Sequence, residues 1–321
     1  MPIIHSTYKA PYFLFSEHLE TIIPALFRKN EKIKYQRERI DTPDQDFLDL
    51  DWSFKGSDTL IILSHGLEGN SQTQYILGMV FLLNSLGYDT LSWNYRGCSG
   101  EINKLHRFYH SGETGDLHFV IDHAIRKKNY SKVALIGFSI GGNITLKYLG
   151  EQGINLKPEI TCSVNFSVPC HLASGAKKLA GWSSYVYMKR FLNSLEKKVT
   201  EKSRIMPEVI SAEGFDKIRN FLEFDEMYTA PIHGFKNAFE YWEKCSSLYY
   251  LKNIRIPTLL VNACNDPFLT PHCFPVKEAE ENPHLFLEMP EKGGHVGFIE
   301  KKISGIYWSE KRAVEFISDY L

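Results

Sequence analysis

The sequence has 321 residues and a mass of 37.0 kDa, enough for one large domain or two small ones. Apolar residues make up 43% of it and charged residues 23%, which excludes intrinsic disorder and fibrous repeats. With 37 Lys and Arg against 38 Asp and Glu, the net charge is −1, so no overall positive field favours a nucleic acid or an anionic membrane as partner.

Localisation is predicted from segments that the sequence lacks. No apolar run approaches the roughly 20 residues of a transmembrane helix, and the first residues do not follow the order of a secretory signal. The six cysteines are scattered without a C-x-x-C pair, which favours reduced thiols over a disulfide or zinc framework. We therefore expect a cytoplasmic protein without a transmembrane segment, whose surface could still contact lipid peripherally. The oligomeric state is not predicted.

Seven short runs rich in β-branched and aromatic residues, each bounded by turn residues, predict strands. Several runs are apolar on both faces, which is typical of parallel strands covered by helices on both sides. The predicted strands are 47–54, 59–64, 89–95, 132–138, 160–168, 258–263 and 285–289.

Helical periodicity lies between several of these strands, at 75–86, 117–125 and 140–149. In the second helix one apolar stripe is expected to be buried, with Asp116, Asp122 and Arg126 facing solvent. This alternation predicts an α/β fold, a mostly parallel central sheet flanked by helices.

The alternation stops between residues 169 and 250, where charged helical segments around 177–190 and 215–224 replace clear strands. We predict a core formed by 1–168 and 251–321 and a mainly helical cap, or lid, formed by 169–250. The aromatic residues of this insertion either line an acyl groove or form the core of the cap itself. They are Trp182, Tyr185, Tyr187, Phe191, Phe235, Phe239, Tyr241 and Trp242.

The two ends of the chain carry weaker signals. Residues 29–39 are charged and precede Thr42-Pro43-Asp44, which we interpret as a solvated surface followed by a turn. Near the other end, Ser309 is the predicted N-cap of a final amphipathic helix.

A G-x-S-x-G sequence, Gly137 to Gly141, lies where the strand at 132–138 meets the helix at 140–149. This is the pattern of a nucleophile elbow, in which a strained turn exposes the serine hydroxyl and glycines on either side permit close backbone contact. The motif alone is weak, but its position between a buried strand and a helix makes it informative. Ser139 is therefore the candidate nucleophile.

A serine nucleophile needs a base, and the base needs an acid that holds its tautomer. In hydrolases built on such a sheet the chain order is Ser, then Asp or Glu, then His, on loops after late strands. Asp266, in Asn265-Asp266-Pro267, follows the strand at 258–263, and His295, in Gly293-Gly294-His295-Val296-Gly297, follows the strand at 285–289. We predict Asp266 as the acid and His295 as the base.

Other residues could carry these roles. Asp216 and Asp225 also lie between Ser139 and His295, but inside the insertion, which is less suited to anchoring a base. His65 precedes a glycine after an early strand, which favours a role in shaping that loop. Cys98 is either a reactive thiol or, as we favour, a buried loop residue.

Acyl transfer also needs hydrogen-bond donors for the oxyanion that develops on the substrate. The backbone N–H of Ile140, directly after the nucleophile and at a helix N-terminus, is one candidate. The second should come from the loop Ser64 to Gly69, where we predict the Leu67 N–H. No H-E-x-x-H or comparable ligand spacing is present, so we expect neither a metal nor a cofactor.

With these motifs in place, the sequence resembles the α/β-hydrolases, and within them the YheT-like branch that includes medium-chain acyl ester synthase/esterases and phospholipases. The resemblance covers nearly the whole chain. It rests on the segments 18–22, 65–69, 94–100 and 109–112 and on the cap segments 224–225, 228–231 and 234–235. It implies a Ser–Asp–His hydrolase with Ser139, Asp266 and His295. The chain departs from the branch at Gln45, where glycine is common, which puts only a surface turn in doubt.

The function that these residues favour is hydrolysis of carboxylic esters of short- to medium-chain or lipid-like acyl groups through an acyl-enzyme. The partner would be a small-molecule acyl ester. An acyltransferase or ester synthase would use the same acyl-enzyme with an alcohol in place of water, and the sequence does not separate the two. A third hypothesis is a non-catalytic binding protein on a hydrolase fold.

Overall fold

The structure, a computed structural model, describes residues 2–29 and 32–321. The strands are β1 (Ile3–Ile4), β2 (Gln36–Asp41), β3 (Phe47–Ser53), β4 (Thr59–Ser64), β5 (Asp89–Asn94), β6 (Lys132–Phe138), β7 (Ile160–Phe166), β8 (Thr258–Val261) and β9 (Leu285–Glu288). The α-helices are α1 (Glu17–Phe27), α2 (Gln74–Ser85), α3 (Thr114–Lys128), α4 (Ile140–Gln152), α5 (Leu172–Leu179), α6 (Tyr185–Ile205), α7 (Phe221–Phe224), α8 (Ala230–Ile232), α9 (Ala238–Cys245), α10 (Val276–Glu281) and α11 (Trp308–Ser318).

All nine strands form one sheet, in the order β1-β9-β8-β7-β6-β4-β5-β3-β2. Neighbouring strands are parallel except in the pairs β2–β3 and β3–β5. The carboxyl ends of β4, β6, β8 and β9 therefore meet at one edge of the sheet, which is where α/β proteins place their ligands.

Helices cover both faces of this sheet. On one face, apolar side chains of α2 and α11 pack against the sheet, and on the other those of α3, α4 and α10 do so. The predicted strands 59–64 and 132–138 have the observed bounds, and the other five end one or two residues earlier than predicted. The predicted α/β architecture with a mostly parallel sheet is confirmed.

The segment between β7 and β8, which is described throughout, contains α5 to α9 and no strand. It has its own apolar core, built mainly from α6 and the residues that follow it. The predicted helix over 177–190 is wrong as a continuous element, because α5 ends at Leu179 and a 3₁₀ turn at Trp182–Ser184 precedes α6. The segment predicted at 215–224 is likewise a 3₁₀ turn followed by the short α7.

The N-terminal part holds elements that periodicity did not reveal. The sequence interpretation has neither β1 nor α1, and the solvated surface expected over 29–39 becomes strand β2 from Gln36 onwards. Residues 30 and 31 of that stretch lie outside the described residues. The turn expected at Thr42 forms, and Gln45 adopts a φ of 67° there, a conformation that favours glycine.

Two further expectations are wrong at single residues. Asp116 is buried instead of facing solvent, because its carboxylate accepts two hydrogen bonds from the Arg96 guanidinium. The last helix begins at Trp308, and its N-cap is Tyr307 rather than Ser309. The Tyr307 N–H donates to the Glu310 carboxylate at 2.9 Å. The N-cap N–H therefore has a hydrogen-bond acceptor in the first turn of the helix, and no serine side chain is needed there.

Arg96, in the loop after β5, joins three parts of the core. Its guanidinium contacts Asp116 on α3 at 2.7 Å and also Asp44 and Asp46 in the turn before β3, at 2.9 and 3.0 Å. Arg96 is 3% exposed and Asp46 is fully buried. Removing the guanidinium would leave buried carboxylates without a counter-charge, which is far more costly than losing a surface ion pair.

We therefore expect Arg96→Met to lower the free energy of unfolding by about 3–5 kcal/mol, measured by urea denaturation followed by circular dichroism. Arg126→Met, an exposed substitution on α3, is the matched control and should stay within about 0.5 kcal/mol of the wild type. Equal effects of the two substitutions would contradict a central role for the Arg96 cluster.

Candidate active site

Ser139 lies at the junction of β6 and α4, with φ 53° and ψ −124°. This is a strained conformation for a residue with a side chain. The Ser139 N–H donates to the Phe166 carbonyl at 2.9 Å, so the strained residue remains attached to the neighbouring strand β7. The sharp turn from strand to helix is the geometry that the G-x-S-x-G sequence predicts.

The glycines on either side of Ser139 are required by close backbone packing. A Cβ at Gly141 would lie 2.4 Å from the Ser64 carbonyl oxygen, and a Cβ at Gly137 would lie 2.5 Å from the Cα of Gly142. The turn can therefore form only because both positions lack a side chain. The predicted reason for the two glycines is confirmed.

The structure brings the three residues predicted from chain order into one hydrogen-bonded row. His295 Nε2 lies 2.9 Å from Ser139 Oγ, and His295 Nδ1 lies 2.9 Å from Asp266 Oδ2. Because a carboxylate can only accept, Nδ1 carries the proton and Nε2 is left to accept from the serine hydroxyl. The row has the geometry required to move a proton from the serine to the histidine.

Asp266 is held by the loop after β8 and by α5. Its Oδ1 accepts from the Phe268 N–H at 2.8 Å, and its side chain is fully buried. The Phe268 ring lies over the His295 imidazole with 4.1 Å between ring centres. From α5, Lys178 donates to the Asp266 carbonyl at 3.0 Å, so the insertion also fixes the acid loop.

The rival acids lie elsewhere. The Asp225 carboxylate accepts from Thr229 Oγ1 at 2.6 Å and from Trp242 Nε1 at 2.8 Å, and Asp216 is exposed on the insertion. Both ring nitrogens of His295 are already engaged by Asp266 and Ser139. Neither rival therefore contacts the base.

The loop after β4 approaches Ser139 at Gly66, where an added Cβ would lie 3.2 Å from the Ser139 Cβ. The Gly66 N–H donates to the Tyr75 hydroxyl at 2.8 Å and the Glu68 N–H donates to the Tyr109 hydroxyl at 2.9 Å. Within residues 2–29 and 32–321, neither the Leu67 N–H nor the Ile140 N–H donates to a protein group. Both residues line the same cavity as Ser139, so their N–H groups stay the predicted donors to an oxyanion.

His65 holds this loop in shape. Its Nδ1 lies 2.8 Å from the Gly66 carbonyl and its Nε2 accepts from the Tyr95 N–H at 3.2 Å, so both nitrogens have backbone partners. Burial lowers the pKa of His65 to about 3, and the imidazole is neutral at pH 7. Burial also raises the pKa of Cys98 to about 11, so this residue is a thiol and not a reactive thiolate.

A family model described as the α/β-hydrolase fold matches residues 59–302. The provisionally named esterase YheT of Escherichia coli (strain K12) is 33% identical over 311 residues, which are 95% of this chain and 91% of that protein. The chain belongs to the α/β-hydrolase family, in its YheT-like branch.

Other relatives agree with this assignment. Phospholipase ABHD3 of Mus musculus is 28% identical over 93% of this hydrolase and 75% of its own length. Among solved structures, the esterase Pf2001 of Pyrococcus furiosus has a TM-score of 0.60 at 20% identity and covers 91% of this chain and 96% of its own. At that identity the solved structure shows the shared fold alone.

Two cavities of this hydrolase meet at Ser139 and His295. The first, which we call the insertion cavity, has a volume of about 120 Å³ and is lined mostly by apolar residues of 169–250. The second, the α1 cavity, has a volume of about 310 Å³ and is lined by α1, by the loop at Leu67 and by the start of α6. Both cavities are lined by Ser139, so two parts of one ligand could lie on different sides of this side chain.

The aromatic residues of the insertion occupy three kinds of position: the cavity walls, the interior of the insertion and the surface. Phe191, Tyr241 and Trp242 line the insertion cavity, and Tyr187 lines the α1 cavity. Phe235 packs within the insertion, whereas Trp182, Tyr185 and Phe239 are exposed. Among the described residues, no helix combines the length and the apolar character needed to cross a membrane.

Among the described residues, one group of three side chains comes close enough to hold a metal. The ligand atoms of His110, Glu113 and His233 lie within 4.8 Å of one another. Glu113 is already ion-paired with Arg107, and His110 Nδ1 accepts from the Gly112 N–H at 3.1 Å. His110 therefore carries its proton on Nε2, the atom that faces Glu113, whereas a metal-binding imidazole needs a free lone pair there. The three side chains form a polar cluster, of which His110 and His233 line the insertion cavity.

No chemical motif in the sequence assigns a role to α1, which the structure places against the loop that carries His295. The Thr21 hydroxyl accepts from the His295 N–H at 2.9 Å, and the His18 imidazole lies 3.1 Å from the Tyr187 hydroxyl of α6. The segment 18–22 was visible in the sequence only as part of a resemblance. The partners of His18 and Thr21 lie 169 and 274 residues away in the chain, so no local sequence pattern could have revealed these contacts.

Burial of Asp225 in the wall of the insertion cavity gives a pH-dependent stability. Desolvation raises the pKa of Asp225 to about 7, above its value of about 4 in an unfolded chain. Because the folded state holds this proton more tightly, the group's contribution to stability is greatest below pH 4 and is lost as the pH rises towards 7.

We expect wild-type stability to fall relative to Asp225→Asn between pH 5 and pH 8, measured as the difference in urea midpoint at each pH. The exposed Asp216→Asn is the matched control, and its difference from the wild type should be the same at both pH values. A constant difference for Asp225→Asn would show that the carboxyl group does not titrate in this range.

Proposed function

We propose that the chain is a serine hydrolase that cleaves carboxylic esters of short- to medium-chain or lipid-like acyl groups through an acyl-enzyme. The observation that carries this proposal is the hydrogen-bonded row from Ser139 through His295 to Asp266. Leu67 and Ile140, the predicted oxyanion donors, line the same cavity as Ser139. Relatives named as an esterase and a phospholipase support the same reaction type.

In the proposed first half-reaction, Ser139 Oγ attacks the acyl carbon while His295 Nε2 takes the hydroxyl proton. Asp266 keeps the other proton on Nδ1 and stabilises the imidazolium that forms. Negative charge develops on the former carbonyl oxygen, where the N–H groups of Leu67 and Ile140 would donate to it. The leaving alcohol then takes the proton from His295 Nε2.

In the second half-reaction, a water molecule replaces the alcohol. His295 removes a proton from the water as its oxygen attacks the acyl carbon, and it returns that proton to Ser139 Oγ when the acid is released. Every transferred proton is carried by His295, so this route uses no metal and no cofactor.

The insertion, residues 169–250, is the proposed cap of the acyl site. Leu172, Leu179, Phe191, Leu195 and Phe224 give the insertion cavity an apolar wall next to the nucleophile. Such a wall suits a hydrocarbon chain, since each buried methylene contributes about 0.8 kcal/mol. The α1 cavity would then receive the alcohol part of the ester. We also propose a cytoplasmic location, consistent with six free cysteine thiols.

The proposal is tested by hydrolysis of aryl esters with two to sixteen acyl carbons at pH 8, by the wild type and by Ser139→Ala. We expect one chain length to be preferred and kcat to fall by about 10³-fold or more in the variant, because its oxyanion donors remain but the nucleophile is gone. Ser203→Ala, which removes a hydroxyl from α6 outside both cavities, is the control and should match the wild type.

Equal rates for the wild type and Ser139→Ala would mean that Ser139 is not the nucleophile. Product analysis with added alcohol separates hydrolysis from the acyltransferase reaction, which is the second candidate because the α1 cavity offers room for an alcohol acceptor. If the wild type forms only free acid at high alcohol concentration, the transferase is excluded. Failure of a fluorophosphonate to label Ser139 would favour the non-catalytic protein.

A further inference from the structure

Helix α1 carries a buried carboxylate that contacts the loops of both the acid and the base. Glu20 is 1% exposed, and its Oε2 accepts two hydrogen bonds. One comes from the Gly293 N–H at 2.7 Å and the other from Asn265 Nδ2 at 2.9 Å. One oxygen atom therefore joins the segment that ends at His295 to the segment that contains Asp266.

Asn265 closes the link between the two loops. Its Oδ1 accepts from the Gly294 N–H at 3.1 Å while its amide group donates to Glu20. Asn265 directly precedes Asp266, and Gly294 directly precedes His295. The bonds thus hold the two residues next to the predicted acid and base, and the spacing between Asp266 and His295 depends on them.

The base loop needs such support because its backbone is strained. Gly293, Gly294, Val296 and Phe298 all have positive φ, at 145°, 58°, 57° and 45°. Two of them carry side chains, for which this region is costly, so the loop keeps its shape only when surrounding contacts determine it. Glu20 supplies one of these contacts at the start of the loop.

Close packing shows that α1 and the base loop fit each other. A Cβ at Gly297 would lie 2.2 Å from the Glu20 carbonyl oxygen, and a Cβ at Gly294 would lie 2.9 Å from the Glu20 Cβ. The approach is possible only because both loop positions are glycines. Helix α1 also precedes residues 59–302, the part that matches the family model, so the support comes from outside the matched fold.

We propose that Glu20 is a positioning residue for the catalytic histidine, acting through Asn265 and the backbone of Gly293 and Gly294; this inference rests on the proposed function. Glu20 touches neither the Ser139 nor the His295 side chain. Its role is that of a hydrogen-bond acceptor at Oε2. The other oxygen, Oε1, has no hydrogen-bond partner among the described residues.

If Glu20 acts as a hydrogen-bond acceptor, Glu20→Ala and Glu20→Gln should have different effects on kcat. Glu20→Ala removes the acceptor, and because a misplacement of about 1 Å can reduce a rate by about 10²-fold, we expect kcat to fall by about 10²-fold with KM changed less than about threefold. Glu20→Gln keeps a carbonyl oxygen for Gly293 and Asn265, and we expect it to retain kcat within about threefold of the wild type. Glu17→Gln, on the exposed side of the same helix, is the matched control and should leave kcat unchanged.

A readout without substrate distinguishes positioning from general stability. The His295 Nδ1 proton, which lies between nitrogen and carboxylate, should give a far-downfield proton NMR signal in the wild type, in Glu17→Gln and in Glu20→Gln. In Glu20→Ala the signal should broaden or vanish at a temperature where circular dichroism still shows the folded protein. This signal is measurable even if the wild type hydrolyses none of the esters, so failure of the inference and failure of the proposed function are distinguishable.

Three results would overturn the inference. The first is a Glu20→Ala protein with wild-type kcat and an unchanged NMR signal, and the second is an equal loss in Glu17→Gln. The third is a loss in Glu20→Gln as large as that in Glu20→Ala. Should Glu20→Ala not fold, Asn265→Ala takes its place: a fall in kcat of about 10-fold or more with a weakened signal supports the inference, and wild-type behaviour contradicts it.

Discussion

The strained backbone at Ser139 is the constraint on which the rest of the site depends. A φ of 53° can be kept at this residue only because β6, β7 and α4 are already fixed by the sheet and its two apolar cores. Gly141 allows the start of α4 to approach the end of β4 closely. The same approach places the Leu67 loop beside the serine, so the turn that exposes the nucleophile also brings the predicted oxyanion donors to it.

Asp266 and His295, the proposed acid and base, are held by parts of the chain that lie outside the central sheet. Lys178 of α5 donates to the loop that carries Asp266, and Thr21 and Glu20 of α1 accept from the loop that carries His295. The insertion and α1 also line the two cavities that meet at the serine. The elements that would select the substrate therefore also position the groups that would react with it.

What the sequence could predict was local. Continuous apolar runs predicted seven strands. Ser139, Asp266 and His295 were chosen as candidates because each follows the end of a strand and their order along the chain is Ser, Asp, His. Strand β2 was missed because its exposed Arg37 and Arg39 resemble a solvated surface, whereas their partners Asp51 and Asp49 lie on β3. Asp116 was predicted to face solvent because the guanidinium that allows its burial is 20 residues away in the chain. Glu20 received no predicted position because its partners are 245 and 273 residues away.

The most direct test of the account is detection of the acyl-enzyme. The wild type is mixed with an activated aryl ester, quenched with acid within milliseconds and examined by intact-protein mass spectrometry with peptide mapping. The account predicts one added acyl group, on Ser139, that disappears as the free acid accumulates, and no adduct in Ser139→Ala. An acyl group on another residue, or turnover without any acylated protein in a reaction whose deacylation is slow, would contradict it.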